Sequence, residues 1–323
     1  MHFRSLTATL LAASLALPAF AQDKITLTFA GVDPPDVPRS VALVDIFAEE
    51  IGDEFSFEPF FSGTLLNQGA ELVAIQRGNI DMAGLPPSDL AQQVPEFDIL
   101  GAAYVVRDQP HLKAIFGSEV GDQLRQIARD KLGVVILGTF YYGMRHVNLR
   151  GDATIDTPAD LAGVTLRMPG GEGWQFLGSS IGANPVPIAY AELYVALQTG
   201  VVDGQDNPLS NNRVMNFHEV TNQIVLTGHN VGIGILLISA EVFDGLTPEQ
   251  QQKIQAAADK ATAWSDEQYL QQESELVAFF EGEGLKVYTP DVAAFQEHAQ
   301  KMYLESPLSA AWPEGMLEAI NGL

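Results

Sequence analysis

The sequence predicts an α/β protein of two lobes, with mixed sheets, strands that cross between the lobes and one long helix spanning both. Three observations carry this. The length, 323 residues, matches about two domains at roughly 150 residues each. Short apolar runs alternate with helical periodicity over most of the chain, the pattern of a parallel or mixed sheet covered on both faces. Near the C-terminus a capping-box sequence, Thr247-Pro248-Glu249-Gln250, opens a helical stretch to about residue 280. Roughly 30 residues make a helix of about 45 Å, longer than one compact domain needs.

Taken in order, residues 1–21 read as a secretory signal. Arg4 carries the only charge there, residues 6–17 are a mostly Leu and Ala run too short to span a membrane, and Pro18 precedes the cleavage pattern Ala19-Phe20-Ala21. The mature chain then begins at Gln22. Residues 25–29 alternate as a strand, closed by Gly31 and the turn Asp33-Pro34-Pro35. Val41, Leu43, Val44, Ile46 and Phe47 recur near a period of 3.6 and predict a helix. Residues 55–61 follow as a strand, 71–77 as a short helix stopped by Gly78, and 80–85 and 132–140 as further strands. Thr157-Pro158 starts a helix with Thr as cap and Pro at the first position. Residues 164–168 read as a strand, 172–181 and 190–199 as helices ended by Gly182 and Gly200. Residues 203–208 read as a loop, and 233–238 as an apolar strand.

Composition removes several functions. With 17 Lys+Arg against 41 Asp+Glu the net charge is −24, which opposes contact with phosphate backbones and excludes a nucleic-acid partner. At 46% apolar residues the chain is too hydrophobic to be disordered. There is no cysteine, so neither disulfides nor thiolate chemistry is available. Catalytic patterns fail on context. Gly178-Ser179-Ser180-Ile181-Gly182 matches G-x-S-x-G, but its serine closes a predicted helix where a nucleophile elbow needs a strand. His218-Glu219 begins a zincin motif, and Asn222 stands where the second ligand belongs. The acidic run from Asp203 lacks the closing Glu of a calcium loop. The sequence therefore calls for no enzyme, no metal and no cofactor.

Positive charge is more informative. Between Lys131 and Lys253 the only cations are Arg145, Arg150, Arg167 and Arg213. Arginine without lysine points to geometry, because its planar fork meets a carboxylate with two parallel hydrogen bonds. Arg167 stands near the end of a predicted strand, before Pro169-Gly170-Gly171 and a helix start, where free N–H groups favour an anion.

The stretch Leu166-Arg167-Met168-Pro169, then Gly182-Ala183-Asn184-Pro185-Val186-Pro187, the block from Glu192 to Asp203-Gly204-Gln205-Asp206-Asn207-Pro208, and Phe217-His218-Glu219-Val220 resemble the periplasmic solute-binding proteins of TRAP transporters, of the dicarboxylate-binding type. The N-terminal part is similar more weakly, through Gly78-Asn79-Ile80-Asp81-Met82. The resemblance implies two lobes that close over a solute: residues 22–142 and 233–272 as lobe I, 143–232 and 273–323 as lobe II, the lobe that holds the ligand carboxylate. It places the carboxylate-pairing arginine at Arg167, a second basic contact at Arg145, an amide contact at Asn207 and an aromatic pocket wall at Tyr190. It implies a small organic acid anion as solute, membrane permease subunits as partners, a periplasmic location and a monomer.

This chain departs from the pattern at Leu85-Pro86-Pro87, where many relatives carry a polar or acidic residue, and in the loop with Glu172 and Trp174. Glu172 would disfavour a phosphate ligand, and Trp174 would narrow or stack the pocket; a helix-start carboxylate and a core tryptophan are the plainer readings. Asp33, Asn67 and Gln68 lie on loops able to reach solute. Four-carbon dicarboxylates, sugar acids, keto or hydroxy acids and sulfonates all present an anionic head to Arg167. A binding protein of an ATP-driven importer and a secreted enzyme acting on acidic sugars are the alternative functions.

Overall fold

The computed structural model describes residues 24–323; the signal sequence expected at 1–21 lies outside them. Nine strands form one mixed sheet: β1 (Ile25–Ala30), β2 (Phe55–Phe60), β3 (Met82–Leu85), β4 (Val134–Leu149), β5 (Thr165–Met168), β6 (Asn184–Pro187), β7 (Gly204–Pro208), β8 (Gln223–Ser239) and β9 (Lys286–Tyr288). Their order is β2-β1-β3-β8-β4-β7-β5-β6, with β9 also on β8. Outer pairs such as β1/β2 and β5/β6 are parallel, while β3/β8, β8/β4 and β4/β7 are antiparallel.

The long central pair makes the two-lobed form. The end of β8 (235–238) pairs with β3 in one half, and its start (223–225) pairs with β9 in the other. The end of β4 (145–149) pairs with β7. Both strands thus cross from half to half, and their register shifts between Tyr141 and Gly143 and again between Arg145 and Val147. The sequence shows less strand than exists. The apolar signal stops at Phe140 and starts again only at Ile233, whereas β4 runs on to Leu149 and β8 begins at Gln223. The hidden segments carry Arg145, His146, Asn148, His229 and Asn230, polar residues that read as loop. The expected 203–208 loop is likewise largely β7, every residue of it buried.

The long helix, Pro248–Gly282, opens with the expected capping box. Gln250 N donates to Thr247 Oγ1 at 3.3 Å and Thr247 N to Gln250 Oε1 at 3.0 Å. Its 35 residues correspond to about 52 Å at 1.5 Å per residue. Ile254, Ala257, Ala258 and Ala261 pack with Leu27, Phe47 and Leu236 in one half. Leu276 and Phe280 pack with Leu209, Ile224 and Leu285 in the other, each such side chain contributing about 1.5–3 kcal/mol of burial. Helices at Pro87–Ala91, Gln109–Phe116, Glu119–Ile127, Leu209–Val214 and Val292–Leu304 complete the helical layers and are not anticipated from the sequence. The stretch expected as a helix at 190–199 begins with a tight turn, and its α-helix is Leu193–Thr199.

The C-terminal segment also reaches helices of the first half. The last helix, Met316–Asn321, packs its buried Met316 and Ile320 into the core that holds Leu124 and Leu112, and His111 Nε2 lies 2.9 Å from the Ile320 carbonyl. The chain returns to the first half to close it. Ser180 of the G-x-S-x-G match ends the helix Glu172–Ser180, its hydroxyl donating to the Leu177 carbonyl at 2.8 Å.

Candidate functional site

A cleft of about 80 Å³ lies where the two halves meet the crossing strands. The first half contributes Asp33, Arg39, Gln68, Glu71, Pro86, Ser88 and Asp89. The crossing strands contribute Tyr142, Arg145 and Asn230, and the second half Arg167, Trp174, Tyr190, Asn207 and Asn211.

Three arginines line it, and two are already neutralised. Arg145 donates from Nε to Asp206 Oδ2 at 2.7 Å and from Nη2 to Asp206 Oδ1 at 2.9 Å and to its carbonyl at 2.8 Å. Burial alone would raise the Asp206 carboxyl, but Arg145 and His229 hold it well below the usual carboxylate range. His229 Nε2 is 3.2 Å from Asp206 Oδ2 and Nδ1 is 2.7 Å from Thr227 Oγ1. A carboxylate only accepts, so Nε2 donates to Asp206. Arg39 forks onto Asp33, donates to the Tyr269 hydroxyl of the long helix and stacks 3.9 Å from the Tyr142 ring centroid. Burial works to lower its pKa, but Asp33 and the two tyrosines raise it well above its ordinary value. Tyr142 reaches Arg39 because position 234 is glycine: a Cβ there would stand 1.6 Å from the Tyr142 hydroxyl oxygen.

Arg167 differs. It is 1% exposed, yet its one side-chain hydrogen bond among the described residues runs from Nε to the Ile188 carbonyl at 2.8 Å. Its Nη2 is buried with no hydrogen-bond partner among the described residues. The Tyr190 ring lies 5.9 Å away. Burial first, and then the Arg145 charge, push its pKa down to about 10, with Asp206 opposing. A buried cation with an unused donor is costly unless something accepts from it. Asn211 is its counterpart: Nδ2 donates to the Tyr190 hydroxyl at 2.9 Å, while its buried Oδ1 has no donor among the described residues.

Two acids also face the cleft, and neither has a cationic partner among the described residues. Glu71 opens the helix Glu71–Gln76, its Oε2 accepting from Gly69 N at 2.8 Å. Asp89 Oδ1 accepts from Trp174 Nε1 at 3.2 Å. Burial raises both carboxyls, Asp89 to about 7, the Glu71 charge adding to the effect.

Of the nine residues expected from the sequence, Asp33, Gln68, Arg145, Arg167, Trp174, Tyr190 and Asn207 line the cleft. Asn67 and Glu172 are exposed and lie outside it; the loop turns Gln68 inward, and its Oε1 accepts from Tyr190 N at 2.8 Å. Arg145 arrives with its fork already spent on Asp206, and it lies 4.8 Å from the Trp174 ring centroid. Asn207 Nδ2 donates to Gln205, which is itself held by Asn148 and Asn212. Trp174 is both wall and core, 6% exposed. Arg39, Glu71, Asp89, Asn211 and Asn230 escape sequence reasoning. The spacing of Asp33 to Arg39 beside the Pro-Pro turn was a signal for the first; the others carry none.

Residues 39–308 match the model of a family described as bacterial extracellular solute-binding protein, family 7. The sialic acid-binding periplasmic protein of Vibrio cholerae is 29% identical over 276 residues, covering 85% of each chain. A TRAP periplasmic solute-binding protein of Roseobacter denitrificans, solved with bound 3-deoxy-D-manno-oct-2-ulosonic acid, is 45% identical with a TM-score of 0.92, covering 93% of this chain and 99% of that one. Another, from Sulfitobacter sp. NAS-14.1 with bound β-D-galacturonate, is 28% identical with a TM-score of 0.84 over 92% of this chain and 98% of that one. With four-fifths of its length matched by the family and the same two-lobed architecture around a cleft, the chain belongs to the bacterial extracellular solute-binding proteins of family 7, the solute receptors of TRAP transporters.

Proposed function

We propose that the solute is a sugar acid, held by its carboxylate on Arg167, and that the receptor carries it through the periplasm to the permease subunits of a TRAP transporter without making or breaking a bond. The observation that carries this reading is the buried Arg167 fork with its unpartnered Nη2, a donor suited to a carboxylate. The unpartnered Asn211 Oδ1 in the same cleft accepts from a hydroxyl, which a sugar acid supplies and a plain dicarboxylate lacks. The bound octulosonic acid of the 45% identical Roseobacter protein favours the same class. In this reading Arg145 and Asp206 form a rigid floor that places Asn207, Tyr190 and Trp174 wall the solute, and Asp33 and Gln68 complete the cleft from the other lobe. The lobes divide between 142 and 143 and between 232 and 233, and closure draws on contacts available only when both engage the solute.

Calorimetry and thermal shift against 3-deoxy-D-manno-oct-2-ulosonate, galacturonate, sialic acid and succinate test it. Micromolar or tighter binding of at least one of the three sugar acids is expected, with a matching rise in unfolding temperature; a solute at 100 times its Kd adds about 2.7 kcal/mol. No binding of any sugar acid, or turnover of one into product, overturns it.

A further inference from the structure

We propose that Asp89 and Glu71 form an acidic wall that reads the far end of the solute, accepting its hydroxyls and turning away a second carboxylate. This rests on the sugar-acid reading above and adds the selectivity of the same cleft.

The charges of the cleft differ in how they are paired. Asp33 cancels Arg39, and Asp206 cancels Arg145. Among the described residues, what remains is one cation without an ion-pair partner, Arg167, and two acids without one, Glu71 and Asp89, all lining the same cavity. Each acid keeps acceptor capacity. Asp89 uses Oδ1 on the Trp174 indole N–H, and Oδ2 makes no hydrogen bond among the described residues. Glu71 uses Oε2 on Gly69 N, and its side chain is almost wholly withdrawn from solvent at 2% exposure. Asp89, Gln68 and Pro169 also line a second pocket, with Gly170, Gly171 and Pro187.

Two acids so placed dictate the chemistry of the tail. A hydroxyl donates to a carboxylate, and that bond is charge-assisted and about twice the strength of a neutral one. A carboxylate tail offers no donor and brings a third negative charge beside two others in a water-poor site. Burial raises both wall carboxyls, against the backbone N–H groups of residues 69–71 at Glu71 and the Trp174 indole at Asp89. The wall therefore separates a polyhydroxylated monoacid from a diacid of similar head group.

The test compares Kd for 3-deoxy-D-manno-oct-2-ulosonate and for succinate at pH 8 in the wild type, Asp89→Asn and Glu71→Gln, with thermal unfolding as the check on folding. Asparagine keeps an oxygen for Trp174, so Asp89→Asn should fold. In both variants the sugar acid is expected to weaken at least fivefold and succinate to tighten, so that the preference for the monoacid shrinks at least tenfold. A wild type that binds the sugar acid, with a preference unchanged within threefold in both variants, overturns the wall. A wild type that binds neither acid overturns instead the sugar-acid reading beneath it.

Discussion

Replacing Arg167 with methionine should move stability and binding in opposite directions. In the free protein the guanidinium is buried beside Arg145, and its pKa falls from 12.5 to about 10. A shift of that size corresponds to about 3 kcal/mol of unfavourable charge burial at neutral pH, at 1.36 kcal/mol per unit. The sign follows because a cation whose folded pKa is depressed destabilises the fold at every pH below that pKa. Methionine removes the charge and fills most of the volume, at the cost of the Nε bond to Ile188, about 1 kcal/mol. The free variant should gain about 1–3 kcal/mol and unfold a few degrees higher. Binding should collapse. On the proposed reading the lost fork would make two charge-assisted bonds to the solute carboxylate at about 1.5–3 kcal/mol each, so affinity should drop by roughly two to four orders of magnitude. Calorimetry with a sugar acid reads the second effect, and urea unfolding without ligand the first. Undiminished binding refutes the role of Arg167. A free variant less stable than wild type by several kcal/mol refutes the idea that the charge is a burden the solute relieves.

Asp206→Asn should destabilise by about 3–5 kcal/mol in denaturant unfolding, because it leaves Arg145 buried without its counter-ion; a loss under 1 kcal/mol would show the pair to be dispensable. Asp89→Asn should be more stable than wild type at pH 8 by about 2–4 kcal/mol, since burial raises the Asp89 carboxyl to about 7 and the folded state above that pH holds an unfavourable charge. The advantage should shrink as pH falls from 7 towards 4, where the wild-type carboxyl is protonated when folded; an equal difference at pH 8 and pH 4.5 contradicts this. His146, half-buried and with its pKa lowered to about 3 by desolvation and the nearby His229, costs the fold stability on acidification in both proteins and cancels in the comparison. Gly234→Ala should weaken solute binding at least tenfold by driving its methyl into the Tyr142 hydroxyl and unseating Arg39; calorimetry showing wild-type affinity would mean the ring moves aside freely.

How much of this was legible in the sequence follows from what kind of signal each part leaves. Apolar alternation revealed β1, β2 and β5 nearly to the residue, because each buries one apolar set against a helix layer. The capping box gave the start of the long helix for a local reason, its two reciprocal hydrogen bonds spanning three residues. The end of β4 and the start of β8 were invisible, since Arg145 and Asn148 are buried through partners about 60 to 75 residues away, Asp206 and Gln223, and His229 through Asp206, 23 residues away. No local pattern encodes such long-range satisfaction. The site divides the same way. Arg167, Tyr190 and Asn207 sit in a distinctive block of sequence, and all three line the cleft. Glu71 and Asp89 occupy ordinary helix-start positions, where an acid is common for reasons of the helix dipole, so nothing in their neighbourhood separates them from Glu172, which has the same local setting and faces solvent.

The way the chain weaves between the halves bears on how the molecule is made. The sheet of the first half is completed by residues 235–238 on β3, about 150 positions downstream, and its helical cover by Met316 and Ile320 at the far end. A growing polypeptide therefore cannot finish either half until almost all of it has been synthesised. Contacts this distant in sequence slow folding, so the nascent chain stays open for longer than two beads on a string would, and neither half can be cut out as an independent unit.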